Sequence, residues 1–278
     1  MVKNSAPSTA QTPLPLDEYH LNTPEQEYDA NFALELPSAQ LLRTELVSLE
    51  VFVPSVHATE FWQIAGSKDA QQLFKYLPYG PFDSLADFLT WYETTIRADP
   101  TMVIFSVRDH SQSAEGRVAG YIGLIKTSVA HAWTEIGHVL VFKEFHGTHV
   151  VSNAAHILLK WAFSQPSAGG PGLRRVQWMA NALNVPSCKV ALKLGFKYEG
   201  DLRYDRVLPF NKFDQDGLSP PPVEEDQAVA KRGPGRISSM FAMCWDDWYE
   251  GDWEGAGQSR KKIEALVARG IVARKSAN

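Results

Sequence analysis

The sequence predicts a mixed α/β (α+β) domain, with helices flanking a sheet that is mostly antiparallel but contains parallel neighbours. Two patterns predict it. Three apolar runs, TMVIFSV, VAGYIGLIK and TEIGHVLVF, follow one another across polar turns such as RDHSQSAEGR, as in an antiparallel meander. Further on, LRRVQWMA, VPSCKVALKLG and FKYEGDLRY read as strand, helix and strand, and a crossover of that length returns to a parallel neighbour. With 278 residues, 44% of them hydrophobic, the chain can bury a sizeable core.

Residues 1–38 are rich in Pro, Ser and acidic groups without sustained periodicity, which predicts an extended or partly disordered N-terminal arm. The main domain is expected over 39–250. From Leu42, LRTELVSLEVFV alternates as a strand does, and SVHATEFWQIAG reads as a helix stopped at Gly66. In DSLADFLTWYETTIRADP, Leu85, Phe88, Leu89, Tyr92 and Ile96 recur at helical spacing, with Asp83 or Ser84 as N-cap and Pro100 beyond the end. The meander comes next, then an amphipathic helix over 148–164, the turn SAGGPG and the strand–helix–strand unit. Residues 205–236 are rich in Pro, Gly and charge and read as a long excursion, a lid candidate, between two final strands, the second being SMFAMCW. The tail, 251–278, holds a short amphipathic basic helix in SRKKIEALVARGIVARK.

Composition narrows the partners. A net charge of -5 and a pI near 5.9 give no field that would hold nucleic acid or an anionic membrane. No apolar run approaches the ~20 residues of a bilayer span, and the first residues lack the apolar centre of a signal peptide, so a cytoplasmic protein is expected. Cys188 and Cys244 cannot build a disulfide framework or a zinc site unaided and read as small buried hydrophobes. His146 and His149 lack a third ligand, so no metal is expected.

The stretch EFHGTHVVSNAA joins the last meander strand to its helix. A helix start presents unpaired amides and the positive end of the helix dipole, so Gly147 and Thr148 stand where an anion can bind. Local physics nevertheless favours an ordinary connection, with Gly147 a turn glycine and Thr148 an N-cap.

The surrounding blocks change that reading. EIGHV, FHGTHVVSNA and ANALNVPSCKVALKLGFKYEGDLR, with YLPYGPF upstream, resemble the GNAT superfamily of acyl-CoA-dependent N-acetyltransferases, nearest the RimJ/RimL-like branch of ribosomal-protein N-terminal acetyltransferases. The resemblance covers residues 42–250 or so. It implies a GNAT fold, its central sheet splayed between two parallel strands, and acetyl-CoA as co-substrate. It also implies direct acetyl transfer to a primary amine of a small molecule or peptide, by a monomer or homodimer.

The family's pyrophosphate loop, Q/R-x-x-G-x-G/A, falls on Glu144 to His149. Glu144 and His149 depart from it, and the implied contacts are His146, Gly147, Thr148, His149 and Val150. The pantetheine arm would lie along the backbone of Val139, Leu140 and Val141 and meet Asn184. Glu135 stands where several members carry a general base. The chemistry needs one: an alkyl amine of pKa ~10.4 is neutral in roughly one part in a few thousand at pH 7, and only the neutral form attacks a thioester. Ser187 is implied near the sulfur, as a partner for the departing thiolate, while Ala191 stands where many members have a tyrosine acid. Tyr79, framed by Pro and Gly on a loop, is the expected acceptor contact.

Competing readings stay open. Glu135 can be a rim residue paired with an arginine, Ser187 a helix cap, and His138 a hydrogen-bonded sheet residue. The whole chain can be a noncatalytic GNAT-fold module that binds CoA or a protein, or an enzyme using a longer acyl-CoA or a hydroxyl acceptor.

Overall fold

The structure is a computed structural model that describes residue 2, residues 20–212 and residues 233–271. Seven strands form one sheet: β1 (Val47–Val51), β2 (Val103–Asp109), β3 (Arg117–Ser128), β4 (Trp133–Val141), β5 (Arg175–Asn181), β6 (Lys197–Val207) and β7 (Gly235–Cys244). Their spatial order is β1-β2-β3-β4-β5-β7-β6. Every neighbouring pair is antiparallel except β4 and β5.

The helices are α1 (Pro54–Ala65), α2 (Leu85–Trp91), α3 (Val150–Phe163), α4 (Val185–Leu194), a single turn α5 (Trp245–Trp248) and α6 (Gln258–Val267). Local chemistry sets their ends. Pro54 opens α1, where its missing N–H costs nothing, and Ser84 caps α2 by accepting the Asp87 amide at 3.1 Å. α2 then widens into a π-helical turn over Tyr92–Arg97. Gly195 ends α4 at φ +103, a conformation open to glycine at little cost.

One expectation is corrected by the topology. The unit β5–α4–β6 does not return to an adjacent strand, because β7 lies between β5 and β6 and pairs antiparallel with both. The adjacent parallel pair is β4 and β5, joined through α3. Of the expected arm, only residue 2 and residues 20–38 are described. From His20 onward it is irregular but packed, with Tyr28 and Phe32 fully buried and the Asn31 side chain donating to the Arg97 carbonyl at 2.9 Å. A few well-spaced aromatics anchor a segment whose average composition is polar.

The core lies on both faces of the sheet. α3 contributes Ile157, Leu158, Leu159, Trp161 and Phe163, all buried, each worth about 1.5–3 kcal/mol of transfer free energy. On the other side Phe61 stacks on Phe88 and Phe142, at 5.0 and 5.6 Å. The basic tail helix, α6, docks through Ile263 and Leu266, and its Ser259 hydroxyl donates to the Gly195 carbonyl at 2.7 Å. Of the expected 205–236 excursion, both ends are strand, and residues 213–232, where the lid expectation falls, lie outside the described residues.

Candidate active site

The site begins where two strands part. β4 and β5 pair from Trp133↔Arg175 to Ile136↔Trp178 and no further, although β4 runs on to Val141 and β5 to Asn181. A bulge accompanies the parting. Tyr121 faces Leu140 while Gly123 faces Gly137, so β4 carries one residue too many, and His138 takes φ +48. Gly120 makes this approach possible, since a Cβ there would lie 2.0 Å from the Leu140 carbonyl oxygen. The strands therefore open as a V, and β5 leaves the edge of Val139, Leu140 and Val141 unpaired on its side.

A cleft of about 520 Å3, counting its open mouth, fills the V. Glu135, His138, Val139, Asn184 and Ser187 all line it, so residues far apart in sequence converge. Glu135 is 2% exposed. Burial raises its pKa above the ordinary carboxylate value, against the opposing pull of Lys126, Arg206 and Arg236. Lys126 Nζ stands 3.2 Å from Glu135 Oε2, an ion contact without the alignment of a hydrogen bond. Glu135 is thus a buried cleft residue beside a lysine, not a rim residue on an arginine.

Asn184 caps α4: its side-chain oxygen accepts the Ser187 amide at 3.2 Å. Ser187 sits one turn in, so the capping role belongs to Asn184. The Ser187 hydroxyl accepts from Trp178 Nε1 at 3.0 Å. An indole N–H can only donate, which leaves the serine proton available to a second acceptor in the cleft. His138 makes ring contacts in place of a sheet hydrogen bond, lying 5.0 Å from Tyr79 and 5.6 Å from Trp91. Burial, then the charges of Arg206 and Lys126, press its pKa down to about 3, so it is neutral at physiological pH.

The loop after β4 lies at the far end of the V. Gly147 is exposed at φ +76, with nothing within 4 Å of where a Cβ would sit. Thr148 does not open the helix; α3 starts at Val150, with Thr148 Oγ1 accepting the Val150 amide at 3.3 Å and donating to the Phe145 carbonyl at 2.7 Å. Of the four charged or ionisable side chains on this loop, Lys143 is exposed and the other three have partners away from Gly147. Glu144 turns out to Arg117, at 2.6 Å. His146 Nε2 lies 2.7 Å from the Val141 carbonyl oxygen, to which it donates. His149 is buried, its Nε2 2.9 Å from Asp109 Oδ1. Burial works against the charge on Asp109, but the hydrogen bonds from His149 and Ser111 outweigh it and lower its pKa. Around Gly147 itself the backbone is open to solvent, the arrangement an anion seat requires, and Lys143 adds an exposed positive charge to the same loop.

Tyr79 lies behind the cleft wall. Its ring stacks on Trp91 at 4.2 Å and its hydroxyl meets that of Tyr121 at 3.2 Å; the residues of this segment that line the cleft are Tyr76, Leu77 and Pro78. Sequence reasoning assigned no role to Arg206 and Arg236, which also line the cleft. They sit at the two ends of the 205–236 stretch, and its strand ends were the available signal. Elsewhere, among the described residues, Cys244, Asp246 and Asp247 bring ligand-type atoms within 4.8 Å of one another. Helix capping explains much of that cluster, since Asp247 accepts the Cys244 amide at 2.9 Å and pairs with Lys197. Among the described residues, no helix is long and apolar enough to cross a membrane.

A mixed sheet opened between two parallel strands, with a helix start at the far end of the opening, defines the GNAT class of fold. The family description "Acetyltransferase (GNAT) domain" matches residues 48–197, more than half of the chain. The chain belongs to the GNAT acetyltransferase family. Among solved structures it is similar to a GCN5-related N-acetyltransferase from Brucella melitensis, at 22% identity over 84% of this chain and 86% of that one, with a TM-score of 0.62. A probable acetyltransferase from Chromobacterium violaceum shares 25% identity over 74% and 92%, at 0.58. A spermidine N-acetyltransferase from Vibrio cholerae, solved with CoA and spermine, shares 13% over 73% and 97%, at 0.51. No curated protein matches.

Proposed function

We propose that this chain is an acetyl-CoA-dependent N-acetyltransferase of the RimJ/RimL-like branch, moving acetyl directly to a primary amine of a small molecule or peptide. The observation that carries the reading is the V between β4 and β5, with a buried carboxylate, Glu135, in the cleft it opens. The branch assignment rests on the blocks FHGTHVVSNA and ANALNVPSCKVALKLGFKYEGDLR.

Bound acetyl-CoA supplies a thioester carbonyl, at which a nitrogen–carbon bond forms while the carbon–sulfur bond breaks. The backbone edge at Val139 is open to a pantetheine arm laid as an added strand, and the side chains of Leu140 and Val141 are turned into the core. The Val141 carbonyl is held by His146, so that contact must open if the arm bonds there. Amides of Gly147 and of the α3 N-cap His149 form the pyrophosphate seat, which those of Thr148 and Val150 join by turning from the Phe145 carbonyl and Thr148 Oγ1. In this assignment His149 acts from beneath the loop, through Asp109, and not by touching phosphate.

Glu135 takes the amine proton. Its raised pKa suits a base that must work near neutrality. Ser187, held by Trp178 with its proton free to turn, hydrogen-bonds the leaving thiolate. Asn184 fixes the turn that presents Ser187. Tyr79 supports the acceptor wall from behind, through the segment Tyr76–Pro78 that faces the cleft.

Thermal shift with acetyl-CoA, CoA and ATP tests the binding half. Both CoA species are expected to raise the melting temperature and ATP is not; no shift with either CoA species overturns the reading. Release of free thiol across an amine panel tests the chemistry.

A further inference from the structure

The part of the cleft lined by β6 and β7 carries a charge arrangement that acetyl transfer to a simple amine does not call for. Arg206 on β6 and Arg236 on β7 are register partners, directly opposite one another across the pair. Like charges placed so are destabilising. The strand irregularity between Leu202 and Arg206, with Tyr204 at φ +53, produces this register.

A short relay holds the two arginines. Arg236 Nε donates to Ser238 Oγ at 2.9 Å, Ser238 Oγ donates to Asp205 Oδ2 at 2.9 Å, and Arg206 Nε donates to the same Oδ2 at 3.0 Å. Each guanidinium is thereby fixed through Nε, and its terminal nitrogens have no acceptor among the described residues. Arg236 is nevertheless only 4% exposed. Burial and the charge of Arg206 press its pKa down to about 10, which still leaves it a cation at neutral pH.

The charge balance of this wall is positive. Among the residues that line the cleft, Arg206 and Arg236 stand against one carboxylate, Glu135, which the reaction uses; behind the lining, Lys126 pairs with Glu135 and Asp205 is occupied by the relay. Two oriented forks with a surplus of positive charge form a receptor for a planar or tetrahedral oxyanion. They repel a polycation.

We infer that the acceptor is an amine that also carries an oxyanion, a carboxylate or a phosphate, which Arg206 and Arg236 hold while Glu135 faces the nitrogen. This rests on the reading of the cleft as the acceptor site of an acetyltransferase. It selects against polyamines and, among peptides, for those with an acidic group beside the reacting amine.

The test compares matched amines: an amino acid against its carboxamide, phosphoethanolamine against ethanolamine, and spermidine. Two readouts are used, kcat/KM from free-thiol release and equilibrium affinity of each amine for the CoA-bound protein. The anionic member of a pair is expected to be favoured by roughly 10- to 100-fold in both, the range of a charge-assisted contact. The two matched pairs decide between carboxylate and phosphate. In Arg206→Gln the preference ratio collapses towards one, and Arg206→Lys restores part of it; Arg206 is the partly exposed member of the pair and the safer one to change. Arg236→Gln serves as the second variant, with its melting temperature measured alongside. Equal turnover of anionic and uncharged amines, or a preference for spermidine, overturns the inference and leaves the acetyltransferase reading standing. If no amine is turned over, the acetyltransferase reading fails, and the affinities still decide whether the arginines select an oxyanion.

Discussion

Replacing Glu135 by glutamine separates chemistry from stability, because the structure predicts opposite signs for the two. The carboxylate is 2% exposed, and burial raises its pKa above the value it has in the unfolded chain. A carboxyl whose folded pKa is raised contributes its stability below the unfolded pKa, near 4.3, and loses it as pH rises through the folded value. Wherever the side chain is ionised it is therefore a net cost to the fold. Gln removes that cost, and the exposed end of Lys126, 38% accessible, is solvated by water in its place. Glu135→Gln is expected to melt at the same temperature as the parent or higher.

Turnover should move the other way. A positioned general base is worth about 100- to 10,000-fold, about 2.7–5.4 kcal/mol of barrier at 1.36 kcal/mol per decade. Without it the rate at neutral pH tracks the neutral amine, roughly one part in a few thousand for a pKa of ~10.4, and climbs about tenfold per pH unit. The gap between variant and parent should thus narrow as pH approaches the amine's own pKa. Free-thiol release from pH 6 to 10, beside a melting curve at each pH, measures both. A variant that loses turnover equally at every pH, or loses stability in step with activity, refutes the assignment of Glu135 as base.

Three further outcomes follow from the site. Ser187→Ala should lower kcat roughly 100-fold while leaving CoA affinity nearly intact, at about 1 kcal/mol of stability for the Trp178 indole left without its acceptor; loss of stability alone would reduce Ser187 to a structural role. Gly147→Ala forces a side chain into φ +76, at about 1 kcal/mol, and places a methyl where the structure has open space; CoA affinity measured by calorimetry should fall about tenfold. Asp109→Asn should cost about 1–3 kcal/mol at pH 7, read by denaturant unfolding. Since the Asp109 pKa is lowered in the fold, that stability is present above the unfolded value, near 3.9, and is lost as pH falls through the folded one, so parent and variant should converge in acid.

Local signals in the sequence located most elements. Ser84, Gly66 and Gly195 mark helix ends that the structure keeps, and the three apolar runs became β2, β3 and β4. What depends on long-range pairing was not legible. Nothing local says that β7 will enter between β5 and β6, because that choice is made by a strand lying beyond the 205–236 excursion. The packing of the arm from His20 onward was hidden for a related reason: Tyr28 and Phe32 are two aromatics in a polar stretch, and only the groove they fill makes them core. Side-chain direction was the other blind spot. His149 sits on the family's loop pattern yet turns inward to Asp109, a residue 40 positions earlier. Tyr79 and Tyr76 share one Pro-framed loop, and burial alone decides which one faces the cleft.

If the two arginines select the acceptor as proposed, specificity is harder to read from sequence than chemistry is. Glu135, Asn184 and Ser187 lie on strand and helix starts whose spacing the fold itself requires, so a short motif suffices to find them. Arg206 and Arg236 are 30 positions apart, with no motif around either, and they become a pair only when β6 and β7 close in one register. A slip of one residue in that pairing would send one guanidinium to the other face of the sheet. In the proposed assignment, the residues that would run the reaction are tied to the V, while the two arginines depend on strands flanking the 205–236 stretch. The acceptor should therefore follow the register of the last two strands, and altering the irregularity at 202–206 should change which amine is used before it changes whether one is used.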